Sequence, residues 1–290
     1  LNRILHRIAA PYRLRGHTIS ISASLGVTLF PGDDSDPDML LRHADQAMYK
    51  AKQLGRNCYY LFDSEKSSAQ DLRQQLIQQV FRSLYQDEFE LFYQPKVNMK
   101  TGQVLGAEAL IRWHHPERGL LLPHEFLPQL QGDALLLELE EWVLHTGIQQ
   151  LSNWHQQGLN LTLSINISGQ CLQESNFVEK LDLLLRQHAN LPPEKLELEI
   201  LENSALENIS NAGDIIKRCR KMGVGFALDD FGTGYSSLTH LKRLPADSIK
   251  IDCSFVAEIM DDPDNLAIVE GIIGLATAFR LKPVAEGVEE

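Results

Sequence analysis

The chain has 290 residues, 43% hydrophobic and 23% charged, a balance that supports a sizeable buried core and excludes global disorder. Lys+Arg 27 against Asp+Glu 39 gives 27 − 39 = −12, an acidic surface that repels a phosphate backbone and excludes DNA or RNA duplexes as partners. No apolar run reaches the ~18 residues of a membrane span, and Leu1 to Arg15 carry charges where a signal peptide is apolar, so no membrane contact is expected from this chain.

In chain order, Thr18 to Phe30 reads as a strand-rich stretch broken by Pro31-Gly32-Asp33-Asp34. Asp36-Pro37-Asp38 opens a helix with Leu40, Leu41, Ala44, Met48 and Ala51 at helical spacing, and Gly55 closes it before a short strand at residues 58–62. This first unit, 1–64, is small and starts abruptly. A polar helix over 65–86, with Leu72, Leu76, Val80 and Leu84 on one stripe, connects it to a second unit, 87–290.

The second unit alternates strands and helices. Strands are expected at 89–94, 104–111, 161–167, 196–201, 224–229, 247–252 and 281–287, and helices at 126–157, 177–188, 212–222 and 265–279. Such repeats imply an α/β fold with a largely parallel sheet covered by helices. Seven strands are one short of a closed (β/α) barrel, so the last strand is expected beyond Glu290.

Outside the strands the signals are bland. Cys58, Cys171, Cys219 and Cys253 are scattered, without metal or disulfide spacing, and read as small buried hydrophobes in a reducing, cytoplasmic setting. Lys217, Arg218, Arg220 and Lys221 read as a solvated helix face. His114-His115 read as surface loop residues, and residues 135–137 with Trp142 and Val143 as a buried helix face.

Strand alternation carries the chemistry. Period two sets Glu108, Asn166, Glu199, Asp229 and Lys250 on the faces opposite their apolar neighbours, near the C-terminal ends where barrel enzymes carry their sites. Glu286 joins them if the sheet closes. Converging carboxylates repel unless a cation intervenes, and all-oxygen donors suit Mg²⁺ or Mn²⁺ better than zinc. The adjacent Asp229-Asp230 can serve two ions about 4 Å apart, an arrangement suited to a phosphodiester. The Gly- and Ser-rich stretch 230–237 behind it reads as a phosphate-facing loop.

These positions fall in separated motifs: Tyr93-Gln94-Pro95, Glu108-Ala109-Leu110-Ile111-Arg112-Trp113, Asn166-Ile167-Ser168, Glu199-Ile200-Leu201-Glu202, Asp229 through Leu238, Lys250-Ile251-Asp252 and Glu286-Gly287-Val288-Glu289. Over about residues 75–290 the chain resembles the EAL domain, the bacterial phosphodiesterase domain for cyclic di-GMP. The resemblance implies a modified TIM barrel whose first strand runs antiparallel to the rest. It implies that Glu108, Asn166, Glu199 and Asp229 hold one metal ion and that Asp229 bridges to a second, assisted by Asp230 and Glu286. It further implies that Lys250 orients the attacking water, that Glu286 is the candidate general base, and that Arg112, Gln94, Asp252 and Glu289 lie at the dinucleotide. Glu202 resembles a glutamate that anchors the loop after Asp230 and couples it to dimerisation, so a homodimer is implied as well. The family's eighth strand bears a glutamine at the site.

The first unit is similar to the C-terminal half of a GGDEF domain, the diguanylate cyclase fold. The resemblance rests on Ser24-Leu25-Gly26-Val27, residues 44–52 and Gly55-Arg56-Asn57. Without a GG(D/E)EF loop, no cyclase activity is expected from it. The reading that follows is a two-metal hydrolase that linearises cyclic di-GMP to pGpG. A catalytically silent cyclic di-GMP receptor is the alternative, and a dimerisation scaffold a third.

Overall fold

The structure is a computed structural model that describes residues 1–201, 209–233, 241 and 244–288. The chain forms two compact units, Leu1–Gln79 and Val80–Glu290. The boundary falls within a single helix, Ser64–Leu84.

In the first unit, helix α1 (Asn2–Ala9) precedes a hairpin of β1 (Tyr12–Leu14) and β2 (His17–Ile19), which turns at Arg15-Gly16. β3 (Leu25–Val27) and β4 (Tyr59–Leu61) pair in parallel, linked by α2 (Pro37–Gln53), which packs on both. The Asp36 carboxylate caps α2 by accepting from the N–H groups of Asp38 and Met39. Asp33 is almost fully buried and accepts hydrogen bonds from Thr28 Oγ1 at 2.6 Å and Ser35 Oγ at 2.7 Å. His43 Nδ1 sits 2.7 Å from the same carboxylate, and its ring stacks on Phe62. Helix α3 is Ser64–Leu84.

The second unit is built on one sheet. Its strands are β5 (Phe89–Val97), β6 (Val104–His115), β7 (Gly119–Leu121), β8 (Thr162–Ile167), β9 (Leu196–Leu201), β10 (Gly225–Phe231), β11 (Ser248–Ile251) and β12 (Lys282–Ala285). Their order is β12-β11-β10-β9-β8-β6-β5, with β7 paired to β6. β5 and β6 are antiparallel, while β6, β8, β9, β10, β11 and β12 run parallel, the reversed first strand that the resemblance implies.

The sheet is curled. Strands lie ~4.8 Å apart, so four steps across a flat sheet would separate β6 from β11 by roughly 19 Å. Lys250 Nζ on β11 is nevertheless 3.1 Å from Glu108 Oε2 on β6. Only a half-closed barrel brings them into contact.

The convex face is apolar. Leu163 and Ile165 of β8 and Leu196, Leu198 and Ile200 of β9 are fully buried. Among the described residues the unit's helices are α4 (Pro123–Leu130), α5 (Ala134–Gln156), α6 (Gly169–Leu172), α7 (Phe177–Gln187), α8 (Ile209–Lys221), α9 (Cys253–Ala257) and α10 (Pro263–Phe279). α5 packs on β8, α8 on β10, and α10 on β11 and β12. Each such Leu or Ile contributes ~1.5–3 kcal/mol by leaving water, so this layer holds the helices on the sheet. On the facing side Gly106 has a steric reason: a Cβ there would lie 2.5 Å from the Thr162 carbonyl oxygen of the adjacent β8. Its absence lets the two strands that carry Glu108 and Asn166 pair closely.

Several expectations change. The helical stretch 126–157 is two helices, because Gly132 takes φ +77 and Asp133 then caps α5 by accepting from Leu135 N–H. β6 continues through His114-His115, which pair with β7, so they are strand and not loop. His115 is buried and accepts from the Glu117 and Arg118 N–H groups, whereas His114 is exposed. Cys253 is exposed rather than buried, and among the described residues all four cysteines are free. The basic face of α8 is exposed as expected, but Arg218 and Arg220 also bridge to Glu179 and Asp247. Among the described residues no helix is long and apolar enough to cross a membrane.

Candidate active site

At the C-terminal ends of the parallel strands the concave face gathers charge. Glu108 comes from β6, Asn166 from β8, Glu199 from β9, Asp229 from β10 and Lys250 from β11, while Glu286 follows β12. Strand pairing lines up Asn166 with Glu199. Asn166 Nδ2 donates to Glu108 Oε1 at 2.7 Å.

Lys250 stands at the centre. Its Nζ lies 2.6 Å from Glu199 Oε2, 3.0 Å from Asp229 Oδ1, 3.1 Å from Glu108 Oε2 and 2.6 Å from Glu286 Oε1. Burial alone would lower the pKa of this ammonium, but the carboxylates outweigh it and raise it well above the usual lysine range. One ammonium does not neutralise the group. Glu108 is pushed up to about 7, first by desolvation and then by the Glu199 charge. Glu286 is raised chiefly by burial, and Asp230 by burial and then by Asp229 and Asp252. The site is short of positive charge.

Asp229 and Asp230 are neighbours, yet their carboxylates reach the same place, against strict alternation. The reason is local. The register with β11 shifts between Leu228 and Phe231, and Asp230 adopts φ +53, a left-handed conformation that Asp tolerates better than most residues. The extra twist turns both side chains toward the mouth.

Carboxylate oxygens of Glu108, Glu199 and Asp229 lie within 4.8 Å of one another, as do those of Asp229, Asp230 and Glu286. Two overlapping all-oxygen groups that share Asp229, with unbalanced negative charge, fit hard divalent cations. The donor set is sufficient for that role.

The other expected residues flank this centre. Gln94 is exposed on β5, in register with Glu108. Arg112 lies further along β6 on the same face, where Nη1 donates to the Ile111 carbonyl at 2.9 Å and the guanidinium sits 5.5 Å from the Phe92 ring centroid. Asp252 is half-buried and caps α9 by accepting from Ser254 N–H. Glu202, Glu289 and the loop from Gly234 to Ser237 lie outside the described residues.

Beneath the carboxylates lies a polar layer of Lys96, Ser164, Glu197 and Ser248. Lys96 Nζ contacts Ser164 Oγ at 2.5 Å, Glu197 Oε2 at 3.1 Å and Glu199 Oε1 at 2.6 Å. Ser164 and Ser248 hydroxyls donate to Glu197 at 2.7 and 2.5 Å. Burial opposes the charge of Glu197, but Lys96 and the two serines prevail and hold its pKa below the ordinary carboxylate value. Lys96 escapes the sequence pattern because Pro95 reads as a strand end. β5 has a partner on one side only among the described residues, and an edge strand accommodates proline. Gln94 and Lys96, two apart on that strand, carry the available signal.

The sequence pattern of the EAL domain family matches residues 77–290, and that of the diguanylate cyclase GGDEF domain matches residues 1–58. The bifunctional diguanylate cyclase/cyclic di-GMP phosphodiesterase MucR of Pseudomonas aeruginosa is 39% identical over 288 residues, 99% of this chain and 42% of the relative. The cyclic di-GMP phosphodiesterase PdeR of Escherichia coli is 36% identical over 288 residues, 99% of this chain and 43% of the relative. The chain thus spans less than half the length of these curated relatives. Among solved structures, the PaMucR phosphodiesterase in complex with c-di-GMP superposes with a TM-score of 0.71 at 39% identity, covering 74% of this chain and 87% of that one. With the curled sheet, its reversed first strand and the matched carboxylates, these findings establish that the chain belongs to the EAL domain family and carries an α/β modified TIM-barrel fold behind a GGDEF-related segment.

Proposed function

We propose that the second unit is a cyclic di-GMP phosphodiesterase that opens the cyclic dinucleotide to linear pGpG. The observation that carries this reading is the pair of oxygen-donor groups sharing Asp229 at the mouth of the curled sheet. Relatives that are cyclic di-GMP phosphodiesterases, and a structural neighbour solved with c-di-GMP, support the substrate.

Glu108, Asn166, Glu199 and Asp229 would hold one divalent cation, Mg²⁺ or Mn²⁺, and Asp229, Asp230 and Glu286 a second. Such ions, when bound, polarise the phosphodiester and favour ionisation of an attacking water. The protein's own groups supply the rest. Glu286 is the proposed general base: burial raises its pKa, so its carboxylate takes a proton more readily than an ordinary glutamate. The ammonium of Lys250, already within reach of Glu286 and Asp229, orients the water by donating hydrogen bonds. Arg112, braced over Phe92, offers its guanidinium to a phosphate oxygen, with Gln94 and Asp252 at the dinucleotide's edge.

The proposed domain boundaries are 1–64, 65–86 and 87–290, with no cyclase activity from the first unit. The test is release of pGpG from cyclic di-GMP by the purified protein in Mn²⁺ or Mg²⁺. Turnover that is abolished by EDTA and by Glu108→Ala is expected. Binding without any pGpG above the Glu108→Ala control would instead make the protein a receptor.

A further inference from the structure

Glu199 is fully buried and has two oxygens, each committed to a different ammonium. Oε2 meets Lys250, and Oε1 meets Lys96, which reaches it from β5 across the concave face. Lys96 is itself tied down. Ser164 Oγ and Glu197 Oε2 take further contacts from its Nζ, and Ser248 fixes the remaining oxygen of Glu197. The chain of contacts therefore runs from Ser248 on β11, through Glu197 and Lys96, to the carboxylate at the centre of the site.

We propose that Lys96 is a positioning residue that sets the orientation of the Glu199 carboxylate at the cation cage, with Glu197, Ser164 and Ser248 as its footing. The proposal rests on the reading of Glu108, Glu199 and Asp229 as cation ligands. A carboxylate on a strand keeps a rotatable terminal torsion, so direction must come from its neighbours. In metal sites those neighbours govern affinity nearly as much as the ligands do.

Two effects of Lys96 on a bound cation have opposite signs, and this makes the role measurable. As a bare positive charge it repels a cation, so its removal would tighten binding. As an orienting donor it aims Glu199, so its removal loosens binding. The multiply bonded geometry of the half-buried Lys96 against a fully buried Glu199 favours the second.

The experiment is titration of the purified chain with Mn²⁺ alone, with free ion read by electron paramagnetic resonance. Lys96→Met should weaken Mn²⁺ binding by about tenfold or more. Lys96→Arg, which can still donate to both carboxylates, should recover most of the loss. Because Lys96→Met leaves the half-buried Glu197 without its cation, Lys96→Met/Glu197→Gln is measured beside it. The double variant should melt closer to the wild type yet keep the weakened Mn²⁺ binding. Wild-type or tighter affinity in Lys96→Met overturns the proposal, and so does full recovery in the double variant. A wild-type chain that takes up no Mn²⁺ overturns the ligand reading and this proposal together.

Discussion

The ammonium of Lys250 lies 2.6 Å from Glu199 Oε2, and both side chains are almost wholly withdrawn from solvent. Lys250 is thus an internal counter-ion for the acidic cluster. Lys250→Met would leave Glu108, Glu199, Asp229 and Glu286 facing one another without it. Breaking a buried pair by removing one partner costs ~3–5 kcal/mol, and a loss of that size is expected in EDTA. Added Mn²⁺ should restore stability to the variant more than it raises that of the wild type, since a cation replaces the missing charge. Urea unfolding with and without Mn²⁺ checks this. An unfolding midpoint unchanged in EDTA would show that the cluster does not need the ammonium.

The raised pKa of Glu108 makes a pH prediction with a definite sign. In the folded, metal-free protein Glu108 keeps its proton up to about 7, against an ordinary 4.5. Between those values the folded state binds more protons than the unfolded chain, so this group's contribution to stability is present at the acid end and is lost as pH rises toward 7. A cation must displace the same proton. Apparent Mn²⁺ affinity should therefore tighten with rising pH, by at most about tenfold per unit, and level off above the Glu108 pKa. Calorimetry in buffers of different ionisation heat should show proton release on Mn²⁺ binding below pH ~7, reduced in Glu108→Gln. Mn²⁺ binding that is independent of pH from 5 to 8 would count against it.

Where one element decides its own conformation, the sequence is legible. Leu163 and Ile165 against Ser164, and Leu198 against Glu197 and Glu199, alternate as a sheet with one apolar and one polar face requires, and those strands appear where expected. Five of the site's side chains follow from that alternation alone, Glu286 from the further condition that the sheet curls. Legibility fails where tertiary contact decides. Pro95 hides the continuation of β5 that brings in Lys96, and only the curl makes β5 and β9 neighbours across the concave face. The break at Gly132-Asp133 is a cap signal masked by apolar residues on both sides. Asp230 shares a cluster with Asp229 through a register shift that no periodicity contains.

In the first unit the Asp33 carboxylate should resist protonation. The Thr28 hydroxyl is the largest cause, helped against burial by Ser35 and His43, and together they hold it down to about 2 from an ordinary 3.8. A depressed folded pKa stabilises the unit above the unfolded value, and that support is lost as pH falls through the interval to about 2. Thr28→Val removes the strongest donor and should move the titration upward. Carbon-detected NMR titration of the Asp33 carboxyl in both proteins reads it directly. A wild-type midpoint near 4, or one that Thr28→Val leaves unmoved, would contradict the hydrogen-bond account.

Asp230 combines an unusual backbone with a charge, and two substitutions separate them. At φ +53 a β-branched side chain crowds the adjacent carbonyl, whereas asparagine enters this region readily. Asp230→Val should therefore cost about 1–2 kcal/mol in unfolding free energy and disturb the turn that aims Asp229. Asp230→Asn should keep the fold and its stability while removing one carboxylate from the group formed with Asp229 and Glu286. Mn²⁺ binding to the Glu108–Glu199–Asp229 group should then survive, with uptake at the second group weakened. Thermal unfolding paired with Mn²⁺ stoichiometry distinguishes these outcomes. Equal stability of the valine and asparagine variants would remove the backbone from the explanation. Unchanged uptake at both groups in Asp230→Asn would remove its carboxylate from the second one.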